Sequence, residues 1–175
     1  MRILLTGGSG CGKSTYAEHV ARSLPAPRYY LATMRPYDEE CLLKIRRHQR
    51  QREDGDFLTI ERQTDVGGII FPARGTAVLE CMCNLLANEM YDENGRERDV
   101  YDKILADIDA LSQRCETLIV VTNEVGGGAE RFDDSATRRY IETLGRLNRA
   151  LAASSDFAAE LVCGIPLVLK GKRPI

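Results

Sequence analysis

The segment Gly7-Gly8-Ser9-Gly10-Cys11-Gly12-Lys13-Ser14 has the residue types and the spacing of a phosphate cradle. It matches G-x-x-x-x-G-K-[S/T], in which a loop wraps a polyphosphate with its own backbone N–H groups. Glycine at positions 7, 8, 10 and 12 lets the backbone turn those groups inward where side chains would obstruct a phosphate. A helix starting near Lys13 adds the positive end of its dipole. Lys13 can reach β- and γ-phosphates, and the Ser14 hydroxyl can ligate Mg²⁺. A second ligand for that ion is expected from a carboxylate at the tip of a neighbouring strand. Glu80 follows Thr76-Ala77-Val78-Leu79 and Glu124 follows Leu118-Ile119-Val120-Val121-Thr122-Asn123, and the sequence does not rank them.

A second reactive pattern lies in Lys44-Ile45-Arg46-Arg47-His48-Gln49-Arg50-Gln51-Arg52. On a helix, Cys41, Ile45 and His48 share one face, while Arg46, Arg47, Arg50 and Arg52 fan around the rest. Guanidinium forks bind phosphate oxygens in pairs, and a cationic neighbourhood keeps an imidazole neutral and nucleophilic. The pattern fits a histidine that attacks phosphorus. A solvated basic helix face has the same appearance. His19, on the helix after the cradle, has no such company and reads as ordinary.

These residues need elements to position them. Short apolar runs alternate with helical patterns, which predicts an α/β fold with a mostly parallel sheet covered on both faces. Strands are expected at Met1–Thr6, Tyr29–Ala32, Leu58–Glu61, Thr76–Glu80, Thr117–Asn123 and Glu160–Gly164. Helices are expected at Lys13–Ser23, Asp38–Arg52, Cys83–Asn88, Val100–Arg114 and Ser135–Ala153. The strand runs Ile3-Leu4-Leu5 and Leu118-Ile119-Val120-Val121 lack polar alternation, as strands buried on both faces do. Ala158 to Leu169 could hold one or two terminal strands, broken at Pro166, and Arg62 to Gly75 carries no clear element signal.

The chain has 175 residues, 43% hydrophobic and 29% charged, which suits one catalytic domain over residues 1–175. A formal net charge of −2 gives no global field to recruit nucleic acid or anionic lipid, so any anion site is local. No run approaches the ~18 apolar residues of a membrane span, and Met1 to Thr6 meets glycine too soon for a signal core, so a cytoplasmic protein is expected. The six cysteines form no C-x-x-C pair and read as small core residues in a reducing compartment. Cys81-Met82-Cys83 is expected to send its two thiols to different sides of its element, a poor zinc site.

With these motifs in place, the chain resembles the bifunctional adenosylcobinamide kinase/adenosylcobinamide-phosphate guanylyltransferase family. The likeness runs through the cradle, Tyr30-Leu31-Ala32-Thr33, Asp38-Glu39-Glu40, Lys44-Ile45-Arg46-Arg47-His48, Leu79-Glu80-Cys81 and Thr122-Asn123-Glu124-Val125-Gly126. It continues through Gly145-Arg146-Leu147-Asn148 to Gly164-Ile165-Pro166. The resemblance implies a single-domain P-loop NTPase of the RecA-like branch, with nucleoside triphosphate and a corrinoid as substrates and Mg²⁺ as cofactor. It implies phosphorylation of adenosylcobinamide by ATP or GTP, then transfer of GMP from GTP through a guanylyl-histidine. On that basis His48 and Lys13 are catalytic, and Ser14 and Glu80 hold the metal. Nucleotide contacts would fall on Gly7, Gly8, Ser9, Gly10, Cys11, Gly12, Lys13, Ser14, Ala32, Thr33, Met34, Gln49, Arg50, Gln51, Arg52, Glu61 and Glu80. A homotrimer is likewise implied. Arg149 stands where the family commonly carries glutamine. Two other readings compete: a single-activity kinase of another small metabolite, and a nucleotide-gated binding module without group transfer.

Overall fold

The computed structural model describes residues 1–35, 56–92, 94–125 and 134–174. Seven strands form one sheet: β1 Arg2–Thr6, β2 Arg28–Ala32, β3 Leu58–Glu61, β4 Thr76–Leu79, β5 Thr117–Val121, β6 Phe157–Val162 and β7 Ile165–Lys170. Their order is β3-β2-β4-β5-β1-β6-β7, and every pair is parallel except β6 with β7. Four α-helices are described: α1 Lys13–Arg22, α2 Met82–Met90, α3 Tyr101–Arg114 and α4 Ser135–Ser154. The expected α/β fold with a mostly parallel sheet is the one observed. The expected helix Asp38–Arg52, with His48 and Cys41, lies outside the described residues.

The unbroken apolar runs make sense once both sheet faces are seen to be covered. Ile3 and Leu5 point with Ile119 and Val121 toward Ala17, Val20 and Ala21 of α1. Leu4, Leu118 and Val120 point the other way, toward α2, α3 and α4 through Leu85, Ile108 and Leu147. Successive residues of one strand therefore enter opposite cores. α4 begins where Asp134 accepts hydrogen bonds from the Ala136 and Thr137 amides, a side-chain cap on the first turn.

Arg62 to Gly75, unassigned from sequence, is a packed connection. It contains a 3-10 turn at Val66–Gly68 and buries Val66, Ile69 and Phe71, with the Phe71 ring 4.6 Å from that of Tyr29. The Arg114 guanidinium ties it down by donating to the Gly67 and Ile69 carbonyls. The terminal region holds two strands, as the sequence allowed, but with other bounds. The strand expected at Glu160–Gly164 begins earlier, at Phe157, and ends at Val162. Cys163 and Gly164, both at positive φ, turn the chain into β7. Pro166 does not break that strand: β7 is an edge, where a residue without an N–H costs no ladder bond.

Gly75 shows how tightly the connection is fitted. A Cβ there would overlap the Pro27 carbonyl oxygen, and the Gly75 carbonyl accepts from the Glu116 amide at 2.8 Å. Gly75→Ala is expected to cost about 1–3 kcal/mol, the usual range for overpacking. Urea unfolding checks this, as a lower midpoint at unchanged slope.

Candidate active site

β1 ends at Thr6, and the chain turns at once into the cradle. Gly7, Gly10 and Gly12 have φ of 137°, 70° and 95°, a backbone region that other residues enter only at a cost. Gly7 has a second reason to be glycine: a Cβ would lie 2.5 Å from the Leu161 carbonyl oxygen of β6. The Gly164 amide donates to the Cys11 carbonyl at 2.8 Å, so the β6–β7 turn braces the loop from outside. Lys13 opens α1 and is buried at 6% exposure. Its ammonium donates to the carbonyls of Gly7 (2.9 Å) and Gly8 (2.6 Å) and lies 3.5 Å from the Cys11 sulfur. The lysine thus points back over the concave side of its own loop.

The loop floors a cavity of about 570 Å³. Ser9 to Ser14 line it, with Met34, Glu80 and Cys81 from the ends of β2 and β4, and Thr122 and Asn123 from the end of β5. Glu80 accepts a hydrogen bond from the Thr33 amide at 3.3 Å, while the Thr33 hydroxyl donates to the Cys81 carbonyl at 3.1 Å. Asn88 closes this corner by donating to the Thr33 carbonyl at 2.8 Å. Ser14 and Glu80 therefore face one space, a donor set of hydroxyl and carboxylate that fits a hard divalent cation such as Mg²⁺.

The structure distinguishes the two candidate carboxylates. Glu80 lines the phosphate cavity, whereas Glu124 lines a neighbouring one, and its amide donates to the Gly7 carbonyl at 3.3 Å. Of the other expected contacts, Ala32 and Thr33 continue β2 toward the cavity. Glu61 lies beside Ala32 on the edge strand β3 and does not line it. His48, Gln49, Arg50, Gln51 and Arg52 lie outside the described residues. Sequence reasoning missed Glu18, Asn84 and Asn123 as cavity residues. The signal for Glu18 was present: it falls four residues after Ser14, on the same helix face.

The cysteine expectations need correction. Among the described cysteines only Cys115 is fully buried; Cys11, Cys81 and Cys83 are partly exposed and Cys163 is exposed. Cys81 and Cys83 do not diverge. The chain passes from extended backbone at Cys81 (φ −156°, ψ 108°) into α2, and this junction brings the two thiols into hydrogen-bonding contact. Cys81 donates to Cys83, which together with burial holds the Cys81 thiol well above its usual range. Cys83 is lowered to about 6, first by that bond and, against the opposing effect of burial, by the Asn123 amide and the Tyr140 hydroxyl.

Outside the cavity, Asp65, Glu89 and Asp107 cluster as a cation site would, but the Lys103 ammonium sits among them at 2.8, 2.7 and 3.0 Å. Burial works against that charge, and the three hydrogen bonds outweigh it, holding the lysine above its ordinary value. The cluster ties the 3-10 connection to α2 and α3.

The chain matches a family model described as CobU, cobinamide kinase / cobinamide phosphate guanyltransferase, over residues 3–169. It is 31% identical over 184 residues to the bifunctional adenosylcobalamin biosynthesis protein CobU of Escherichia coli (strain K12), covering 97% of this chain and 100% of that one. It is also 31% identical over 185 residues to the protein of that name from Salmonella typhimurium, with the same coverage. The bifunctional adenosylcobalamin biosynthesis protein CobP of Pseudomonas aeruginosa is 27% identical over 175 residues, 98% of this chain and 99% of that one. Among solved structures, the P4 protein from bacteriophage phi6 in complex with ADP matches with a TM-score of 0.47 at 16% identity, over 94% of this chain and 52% of that one.

A thiolate at Cys83 has a direct consequence. Only the deprotonated thiol attacks iodoacetamide, so the reactive form persists down to about pH 6 and is lost below it. Alkylation of Cys83, followed by mass spectrometry, is expected to show a midpoint near pH 6 and to vanish in Cys83→Ser. A midpoint near the ordinary thiol value of about 8.5 would contradict the assignment.

Proposed function

Because the chain belongs to the cobinamide kinase / cobinamide phosphate guanyltransferase family, we propose that it carries out both reactions in that description, phosphoryl transfer followed by guanylyl transfer. The observation that carries this reading is the cavity in which the cradle, Lys13, Ser14 and Glu80 converge at the carboxyl edge of the sheet. Open α/β sheets bind their ligands at that edge.

In the first reaction a triphosphate lies in the cradle with its β- and γ-phosphates against the loop amides. Lys13 exchanges the Gly7 and Gly8 carbonyls for phosphate oxygens, which are stronger acceptors for an ammonium. The hydroxyl on the aminopropanol arm of adenosylcobinamide attacks the γ-phosphorus and gives up its proton to water, the bond to the β-phosphate oxygen breaks, and the charge developing there falls to Lys13 and the loop amides. Ser14 and Glu80 would hold Mg²⁺, which would supply positive charge against the triphosphate. In the second reaction His48 acts as nucleophile on the α-phosphorus of GTP, releasing pyrophosphate and leaving GMP bound through a P–N bond. An oxygen of the corrinoid phosphate then attacks that phosphorus, the P–N bond breaks, and adenosylcobinamide-GDP leaves. The two displacements replace one between two polyanions. The nucleotide contacts would include Met34 and Glu80 in the cavity wall and Gln49, Arg50, Gln51 and Arg52 beside the histidine.

The same reading makes the protein a homotrimer of the cytoplasm. No described helix is long and apolar enough to cross a membrane. Val162, Ile165 and Leu167 lie exposed on paired positions of β6 and β7 and offer apolar surface to another copy. Light scattering on purified protein checks the assembly; a monomer at micromolar concentration would count against it.

Purified protein given adenosylcobinamide, ATP and GTP is expected to yield both the phosphorylated and the GDP-linked corrinoid. With α-labelled GTP and Mg²⁺ but no corrinoid, acid-labile label should remain on the protein. His48→Ala should abolish that label and leave γ-phosphoryl transfer in place; full labelling of the variant would refute the histidine assignment. Lys13→Ala should lower kcat for phosphoryl transfer by about 10²–10³, the loss typical of removing one charge-stabilising donor. A single-activity kinase would transfer the γ-phosphate to a non-corrinoid hydroxyl and take no label.

A further inference from the structure

A second cavity, of about 640 Å³, opens on the α4 side of the sheet, and its size suits a ligand rather than a water cluster. Its apolar floor is made by Leu4, Leu144 and Ala158, all nearly fully buried. It lies immediately beside the phosphate cavity. Thr6, the residue before the cradle, lines it, and the tail of β5 forms the partition: Thr122 and Asn123 face the phosphate cavity, Glu124 and Val125 face this one. Asn148 of α4 fixes the partition, accepting from the Thr122 hydroxyl at 2.8 Å and donating to the Asn123 carbonyl at 3.1 Å.

Two residues make this cavity more than a packing defect. Gly145 lies in the middle of the 20-residue helix α4, where glycine costs about 1 kcal/mol relative to alanine. Neither packing nor backbone requires it: its φ is not positive, and an added Cβ would meet only the Arg149 guanidinium, at 3.8 Å. What the missing side chain preserves is the open floor of the cavity. Arg149, one turn further along, extends its guanidinium over that floor with no hydrogen bond or ion pair among the described residues. An apolar floor under a five-donor fork suits a ligand with a broad apolar face and oxygen acceptors at its edge.

We propose that this cavity is the acceptor subsite, holding one edge of the corrin macrocycle over Leu4, Leu144 and Gly145 while Arg149 binds its peripheral carboxamide oxygens. A corrin combines a flat apolar ring with a fringe of amides. With the ring seated here, its aminopropanol arm needs only to pass the tail of β5 to present its hydroxyl in the phosphate cavity. This assignment rests on the functional reading above, since it takes the corrinoid as acceptor.

The test uses full-length Gly145→Leu and Arg149→Ala. Three quantities are read: KM for adenosylcobinamide and KM for ATP in phosphoryl transfer, and acceptor-free labelling by α-labelled GTP. Filling the floor is expected to raise the corrinoid KM about tenfold or more, and loss of the fork about threefold to tenfold, within the range of one lost or obstructed contact. ATP KM and labelling should stay within about twofold. In case Gly145→Leu fails to fold, hydrogen exchange of the wild-type protein with and without adenosylcobinamide supplies the decisive reading. Slowed exchange in residues 144–152 and around Leu169 supports the subsite. Protection confined to the cradle, an unchanged corrinoid KM in folded variants, or a cavity sealed by a second copy and indifferent to corrinoid would each overturn it. A wild-type protein that takes label from GTP yet neither binds nor phosphorylates the corrinoid would instead overturn the functional reading, and the subsite with it.

Discussion

The structure depends on a close backbone approach between the phosphate loop and strand β6. Gly7 lies so near the Leu161 carbonyl that a Cβ would stand 2.5 Å from its oxygen, and Gly12 lies similarly near Gly164, at 3.2 Å. These contacts, with the Gly164 to Cys11 hydrogen bond, hold a glycine-rich loop that would otherwise carry a high conformational entropy. The loop amides can serve a polyanion only if they stay aimed while it binds. β6 and its turn into β7 supply that rigidity from outside the motif. The terminal hairpin is therefore part of the phosphate site, although none of its residues lines the cavity.

Much of this was legible in the residues. The cradle announces itself because its chemistry permits few alternatives at fixed spacing, and the strand before it and helix after it carry opposite periodicities. The sheet was legible in runs such as Leu118 to Val121, whose lack of alternation has one economical explanation, burial on both faces. What escaped was information held in long-range contacts. Val66, Ile69 and Phe71 are apolar residues scattered among glycine and proline, and only Tyr29 and Arg114, distant in sequence, make them a packed connection. Pro166 read as a break because the sequence does not say which strand is an edge. Cys81 and Cys83 read as divergent because the two-residue rule assumes one uniform element, and the chain changes element at Cys81.

The choice between Glu80 and Glu124 shows the same division of labour. Each carboxylate follows an apolar strand, so the local signals are equal. The topology separates them. β4 and β5 are neighbours, yet Glu80 turns into the space beside Ser14, while the chain beyond Val121 continues past the loop and carries Glu124 to the far side. Along that path Thr122, Asn123 and Glu124 become a wall, pinned to α4 by Asn148 and to the loop by the Glu124 amide. The Thr-Asn-Glu run that the resemblance singled out acquires a physical role as a partition with a different ligand surface on each side.

A protein that moves first a γ-phosphoryl and then a guanylyl group has to offer two phosphorus atoms of a triphosphate to different nucleophiles without rebuilding its anion site. The described chain suits that demand. The cradle and Glu80 form one wall of the phosphate cavity. Met34 lines the phosphate cavity just before residues 36–55 begin, and Phe57, just after them, is buried against Tyr30 with ring centroids 6.3 Å apart. On the acceptor subsite proposed above, the corrinoid's bulk lies beyond the β5 tail and only its arm crosses to the phosphate cavity. An anion site on one side of the β5 tail and a separate cavity on the other give one sheet edge two distinct surfaces.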